Sequence, residues 1–286
     1  MPGSDMSFVQ TNMMPEEITD DAILNGRLRL FQPRRGHRFG HDAILLAAAT
    51  PARPGDRVAE LGAGVGAAGL ALLSRVPEID LTLVDVDPGL VGLAAKNITR
   101  NDFADRASAV VLDVESTDRD FEDAGLQAGS LDRVLMNPPF NEASLQASPD
   151  AGRRIAHAAA ERTLHAWVRR AASLLRPAGG LTLIWRAEGQ KKVLQELAPA
   201  FGAVAITPVH PAPGQGPIRI LVNACKGREG ALRILPPLTL MDQDKRPSAE
   251  AEAILRGGMP LPGGDPAVNR STAPADPNST TSVRKP

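Results

Sequence analysis

The stretch Arg57-Val58-Ala59-Glu60-Leu61-Gly62-Ala63-Gly64-Val65-Gly66 constrains the fold of this chain more than any other. Its first half reads as a strand. Glycine then alternates with small residues at Gly62, Gly64 and Gly66, and Ala67 to Leu73 reads as a helix. Strand, glycine turn and helix together are the layout of a nucleotide-binding βα unit. Gly62 and Gly64 let the backbone come close to a ligand. Gly66 opens a helix whose N-terminus favours negative charge.

Further strands follow, each ending in a residue with usable chemistry. Leu81 to Val84 ends at Asp85, a carboxylate able to accept from a ribose diol. Ala109 to Leu112 ends at Asp113. Leu131 to Met136 is stopped by Asn137-Pro138-Pro139-Phe140. Prolines have no N–H for the ladder and fix φ, and the residue before a proline is held extended. Asn137 and the Pro138 carbonyl then make two fixed acceptors, with Phe140 as a flat face beside them. A planar group carrying an NH2 suits that set: an exocyclic amine of a nucleobase, or a side-chain amide. In open α/β sheets ligands bind at the carboxyl ends of the strands, near the switch point. The glycine turn, Asp85, Asp113 and Asn137 are therefore expected to converge on one crevice. Glu60, Asp85 and Asp113 are too much acid for a pyrophosphate, which argues against a nicotinamide dehydrogenase. They suit a cationic ligand with a ribose and an adenine, as in S-adenosylmethionine. Later strands at 181–185, 204–207 and 218–224 complete the pattern, the last two as an antiparallel hairpin. The expected fold is α/β: a Rossmann-like seven-stranded sheet with helices on both faces and a terminal antiparallel hairpin.

Composition narrows the rest. The chain has 286 residues, 43% of them hydrophobic, and a formal net charge of -1. Any nucleic-acid contact must come from local patches. Two are present: Arg34, Arg35 and Arg38 with His37 and His41, and Arg153, Arg154 with His157. Each reads either as a phosphate contact or as a solvated segment. Asp42 is expected to cap the helix that follows the first patch, and Asn25-Gly26 to make a two-residue hairpin turn before it. The single cysteine, Cys225, allows neither an internal disulfide nor a cysteine metal site, which fits a reducing cytoplasm; no metal is expected. No apolar run approaches membrane-spanning length. Residues 1–19 read as a flexible arm, 20–240 as the folded domain, and 241–286 as a disordered tail. That tail is rich in proline, serine, threonine and charge and lacks a sustained period. The oligomeric state is left open.

With these motifs in view, the chain resembles the class I S-adenosylmethionine-dependent methyltransferases. The resemblance is carried by Glu60-Leu61-Gly62-Ala63-Gly64-Val65-Gly66, Asp85, Asp113 and Asn137-Pro138-Pro139-Phe140. The last is the motif of the amino-methyltransferases, which act on nitrogen of adenine, guanine or glutamine. Among them it looks most like the bacterial tRNA adenine-N6 methyltransferases acting beside the anticodon of a valine tRNA. Gln32, Arg38-Phe39-Gly40-His41-Asp42-Ala43, Arg153-Arg154-Ile155-Ala156-His157 and Arg219-Ile220-Leu221-Val222 support that placement. The resemblance implies S-adenosylmethionine as cofactor, bound by Glu60, Gly62, Gly64, Gly66, Asp85, Asp113 and Asn137. It implies RNA, tRNA foremost, as partner, and Asn137 to Phe140 as the catalytic motif. Ribosomal-RNA guanine-N2 and protein glutamine-N5 methyltransferases, and a non-catalytic cofactor- or RNA-binding domain, are the alternatives.

Overall fold

A computed structural model describes residues 17–35, 38–139 and 151–262, with backbone only over 151–162. The described chain opens with an antiparallel hairpin, β1 (Ile18–Ile23) and β2 (Leu28–Pro33). Ile23 pairs with Leu28, so the turn is wider than the expected two residues. The reason is Leu24, which is buried and takes a left-handed φ of 52° along with Asn25 and Gly26.

The main sheet follows in alternation with helices: α1 (His41–Ala49), β3 (Arg57–Leu61), α2 (Ala67–Arg75), β4 (Asp80–Asp85), α3 (Pro88–Arg100), β5 (Ala107–Val111), α4 (Asp118–Asp123), β6 (Leu131–Met136), α5 (Ala151–Leu174), β7 (Leu175–Arg186), α6 (Gln190–Leu197), β8 (Phe201–His210) and β9 (Arg219–Lys226). Across the sheet the order is β5-β4-β3-β6-β7-β9-β8. Neighbours are parallel except β9, which is antiparallel to both β7 and β8. The expected seven strands and antiparallel hairpin are present, and the return strand β9 sits inside the sheet, between β7 and β8. Two short strands, β10 (Arg233–Ile234) and β11 (Leu238–Thr239), pair with the outer edge of β8.

Both faces of the sheet are covered, and residues alternate between the two cores with period two. Val58, Leu135, Ile184 and Leu221 join the core under α1 and α2. Ala59, Val134, Met136, Leu183, Trp185 and Val222 join the core under α4, α5 and α6. Such a sheet offers a ligand nothing but its strand ends. The chain leaves β3 toward β4 on one side and returns as β6 on the other, so the switch point lies between β3 and β6. Leu61 pairs with Met136. Gly62 and Asn137 therefore leave adjacent strands at the same level, one into the glycine turn and the other into the proline turn. Among the described residues no helix is long and apolar enough to cross a membrane.

The folded part runs past the expected boundary at 240. Residues 241–262 pack on the domain as a strap containing α7 (Ala249–Leu255), capped by Ser248 Oγ accepting from the N–H of Ala251. Ala251 and Ile254 are buried against α1, and the N–H of Leu261 donates to Ala48 O at 2.8 Å. Arg27 also donates to Gly257 O, tying the strap to the hairpin. A seven-residue helix has too little periodicity to be seen as amphipathic from sequence, and this one is held by tertiary contacts. Ile254→Ala is expected to cost about 2–5 kcal/mol in urea unfolding. Its exposed neighbour Ala253→Ser should stay within about 0.5 kcal/mol. Equal, small effects at both positions would mean that the strap is not part of the folded core.

Candidate active site

The glycine turn owes its shape to side chains outside it. Gly62, Gly64 and Gly66 have φ of 68°, 56° and 85°, a region that residues with a Cβ rarely adopt. Gly66 is the N-cap of α2, and no side chain caps that helix end. The N–H of Gly64 donates to Asp85 Oδ2 at 2.7 Å, and the N–H of Asp87 donates to Asp85 Oδ1 at 2.9 Å. Each oxygen keeps acceptor capacity for a hydroxyl. From α3, buried Asn97 donates through Nδ2 to Val65 O at 3.0 Å. The same amide also exchanges bonds with the backbone of Phe31 in β2. Asn97 thereby fastens the turn to the N-terminal hairpin.

Beneath the turn, Glu60 is buried and its Oε2 accepts from the N–H of Gly69 at 2.6 Å. Burial pushes its pKa up to about 8; the Gly69 bond pulls the other way, and the Asp85 charge adds to the rise. A Cβ on Gly69 would sit 2.6 Å from Leu83 and 2.8 Å from Glu60 Oε2, so only glycine lets the helix come this close. The sequence reading missed Gly69. Its signal was a glycine inside a helix, which needs a reason because it weakens the helix.

A cavity of about 480 Å³ joins Glu60, Ala63, Gly64 and Val65 to Asn137, Pro138 and Pro139. Arg38, Phe39, Asp42 and Arg219 close its other side. Asn137 Oδ1 is shut off from water and has no hydrogen-bond partner among the described residues. A buried acceptor left unpaired costs about 1–3 kcal/mol, so it marks a place for a donor. Asp42 does not cap α1, whose N-cap is Gly40; it accepts from Arg219 Nε at 2.9 Å on the cavity wall. Gly64 faces open space, since a Cβ there would meet nothing within 4 Å. Gly62 is covered: its missing Cβ would collide with the ring of Trp167 from α5. At helical spacing with Leu164, Val168 and Ala171, Trp167 reads from the sequence as a plain core residue.

The other expected residues fall at different distances from this cavity. Asp85 reaches it through Gly64. Asp113 lies at the end of the next strand, exposed, with Oδ1 accepting from the N–H of Glu115, and is not on the cavity wall. Val86, just after Asp85, is 63% exposed, an apolar surface of the kind a flat adenine covers. Arg34 and Arg35 are exposed beyond β2, outside the cavity lining. Arg38 lines the cavity, and its guanidinium donates to Thr19 Oγ1, Pro33 O and Asp21 Oδ2, bracing the hairpin. His37 and Phe140 lie outside the described residues. Arg153, Arg154 and His157 are on the first turns of α5, and their side chains lie outside the described part. Among the described residues no group of three or more His, Cys, Asp or Glu could hold a metal ion. The donor set fits a cationic nucleoside ligand. Two carboxyls surround a bare backbone turn, Asp85 has capacity for a diol, and Val86 leaves an open apolar face.

Comparison with known proteins agrees with this geometry. The family model of the methyltransferase small domain matches residues 38–209, more than half of the chain. The chain is 29% identical over 224 residues to a Tolumonas auensis protein named tRNA1(Val) (adenine(37)-N6)-methyltransferase, covering 78% of this chain and 90% of that one. A protein of the same name from Porphyromonas gingivalis is 30% identical over 190 residues, covering 64% and 72%. Among solved structures, one from Agrobacterium tumefaciens described as a "predicted O-methyltransferase" superposes with a TM-score of 0.65 at 26% identity. It covers 77% of this chain and 97% of that one.

The buried carboxyl sets a pH dependence. The folded state holds Glu60 protonated up to about 8, whereas the unfolded chain releases that proton near 4.5. Between these values the folded state binds more protons, so the contribution of Glu60 to stability falls as pH rises and levels off above about 8. Urea unfolding should show Glu60→Gln flattening this fall by about 2 kcal/mol between about pH 6 and 8.5. An unchanged pH profile in the variant would mean that Glu60 is ionised beneath the turn.

Proposed function

Because the chain belongs to the methyltransferase small domain family, we propose that it transfers a methyl group from S-adenosylmethionine to N6 of an adenine in tRNA. One observation carries this reading: the buried, unpartnered Asn137 Oδ1 beside Pro138 and Pro139, in the same cavity as the glycine turn. An exocyclic amine brings two N–H donors. Asn137 Oδ1 accepts one and the Pro138 carbonyl the other. Full relatives named as tRNA adenine-N6 methyltransferases, aligned over most of both chains, favour adenine and tRNA.

When bound, S-adenosylmethionine supplies a methyl group made electrophilic by its sulfonium. Asp85 offers a carboxylate for its positive charges and capacity for the ribose hydroxyls, and Glu60, which burial keeps protonated, can release its proton when a cation lies over the turn. The bare backbone at Gly64 lets the ligand lie against the turn. On the acceptor side, the amine is a poor nucleophile because its lone pair is delocalised into the ring. Holding both N–H bonds draws the nitrogen toward a tetrahedral form and frees that lone pair. The proton lost after transfer passes to solvent. Catalysis is then positioning and fixed electrostatics. The proline turn keeps both acceptors in place before the substrate arrives, and Phe140, next in the motif, supplies the flat face for the ring. The base must leave its stack to enter the cavity. A tRNA substrate places this work in the cytoplasm.

The division of roles is tested by steady-state transfer to RNA from cells lacking the protein, with cofactor binding measured by calorimetry. Asn137→Ala should lower kcat about 10²–10³-fold, the scale of one lost transition-state hydrogen bond, and leave cofactor affinity unchanged. Gly62→Ala should do the reverse: its positive φ and the Trp167 ring leave no room for a Cβ, and the cofactor Kd should rise about tenfold, ~1.4 kcal/mol. If Asn137→Ala loses cofactor affinity along with activity, Asn137 belongs to the cofactor site and the amine reading fails.

A further inference from the structure

A second cavity, of about 700 Å³, shares Phe39 and Gly40 with the first as a common wall. Its apolar sides come from Ile23 and Leu24 of the hairpin, Ile44 of α1, and Leu240 and Leu255 of the strap. Gln32 of β2 also lines it and is only 3% exposed. The Gln32 amide cannot turn freely. Its Nε2 donates to Asp21 Oδ2 at 2.7 Å, and Asp21 is itself held by Thr19 Oγ1 and Arg38. Reversing the amide would set oxygen against oxygen. Gln32 Oε1 is thus a fixed acceptor, shut off from water and without a partner among the described residues.

This chemistry selects its ligand. A fixed acceptor between apolar walls suits a flat, neutral group with an N–H. Charge does not single out a phosphate: Asp21 and Glu252 line the cavity together with His41 and Arg256, and Arg256 lies 3.8 Å from the Glu252 carboxylate. Phe39 offers an aromatic ring on the shared wall, and base–aromatic stacking tolerates any base. At Gly40, which is exposed, a Cβ would meet nothing within 4 Å, so the shared wall carries no side chain there and leaves space beside it. Resting on the RNA reading above, we propose that this cavity receives the nucleobase next to the target adenine. Gln32 Oε1 accepts its N–H, and the occupied subsite draws the target base out of its stack and into the catalytic cavity.

The test uses the full chain and stem-loop RNAs that keep the target adenine and carry an abasic residue on one side of it or the other. For wild type, an abasic residue at one flank should lower kcat/KM about tenfold or more, the scale of one lost base contact. Gln32→Leu removes the acceptor. Leu255→Trp fills the cavity from α7 without touching the Gln32 bonds, and covers the case in which the first variant disturbs the hairpin. Thermal unfolding identifies which variants are folded. A folded variant should be slower on intact RNA and indifferent to the abasic flank, with cofactor affinity unchanged. Wild type indifferent to both flanks, or a folded Leu255→Trp that still discriminates, would overturn the proposal and leave RNA methylation standing. Inhibition of wild type, but not Leu255→Trp, by free adenosine or guanosine, with no effect of abasic flanks, would assign the cavity to a free nucleoside and also overturn it. Wild type that methylates no RNA would overturn the RNA reading itself, and this proposal with it.

Discussion

Everything at the active end of this molecule hangs on a glycine turn that contributes no side chain to its own support. Glu60 from β3 reaches under it to the Gly69 N–H, Asp85 from β4 takes the Gly64 N–H, and Asn97 from α3 takes the Val65 carbonyl. Three neighbouring elements thus fix a stretch of positive-φ backbone that would otherwise sample many conformations. The cost of ordering the turn is met during folding, so a ligand finds it preorganised. Burying a carboxyl there is unfavourable unless it is neutral or faces a cation. The same residue that stabilises the turn therefore prepares it for a positively charged ligand.

The sheet explains why the acceptor chemistry lies beside that turn. With both faces covered by helices, only strand ends are open, and the switch point separates β3 from β6. The pairing of Leu61 with Met136 puts the glycine turn and the proline turn side by side. Pro138 and Pro139 end the ladder at once, and Asn137 is left at the rim with an oxygen that nothing in the described protein satisfies. Asn97 extends the arrangement outward by fastening β2 to the turn. The hairpin, α1 and the strap then form one side of the catalytic end, where the composition beyond 240 reads as a disordered tail.

Much of this was legible in the sequence, for physical reasons that differ by residue. The β3–turn–α2 unit could be read because glycines at these φ values have few substitutes. The strand end at Asn137 could be read because two prolines leave the chain few options. Gly69, Asn97 and Trp167 could not be placed, since their roles depend on which element lies opposite. A helical glycine, a helical asparagine and a helical tryptophan are ordinary until Glu60, Phe31 and Gly62 are seen against them. The strap over 241–262 was hidden for a similar reason: its composition is that of a disordered segment, and it is held by tertiary contacts with α1, β11 and the hairpin that the sequence does not show. Asp113 shows the opposite limit. The pattern of acids at strand ends grouped it with Asp85; neither lines the cavity, Asp85 being joined to it through the Gly64 N–H while Asp113 ends the next strand out.

The central claim is that Asn137 and Pro138 grip an exocyclic amine. Methyl transfer from labelled S-adenosylmethionine into total RNA from cells lacking the protein, with mass spectrometry of the digested nucleosides, tests it most directly. The account predicts N6-methyladenosine, confined to the tRNA fraction. N2-methylguanosine in ribosomal RNA would keep the amine chemistry and contradict the substrate. Label on a ribose oxygen would contradict the claim itself.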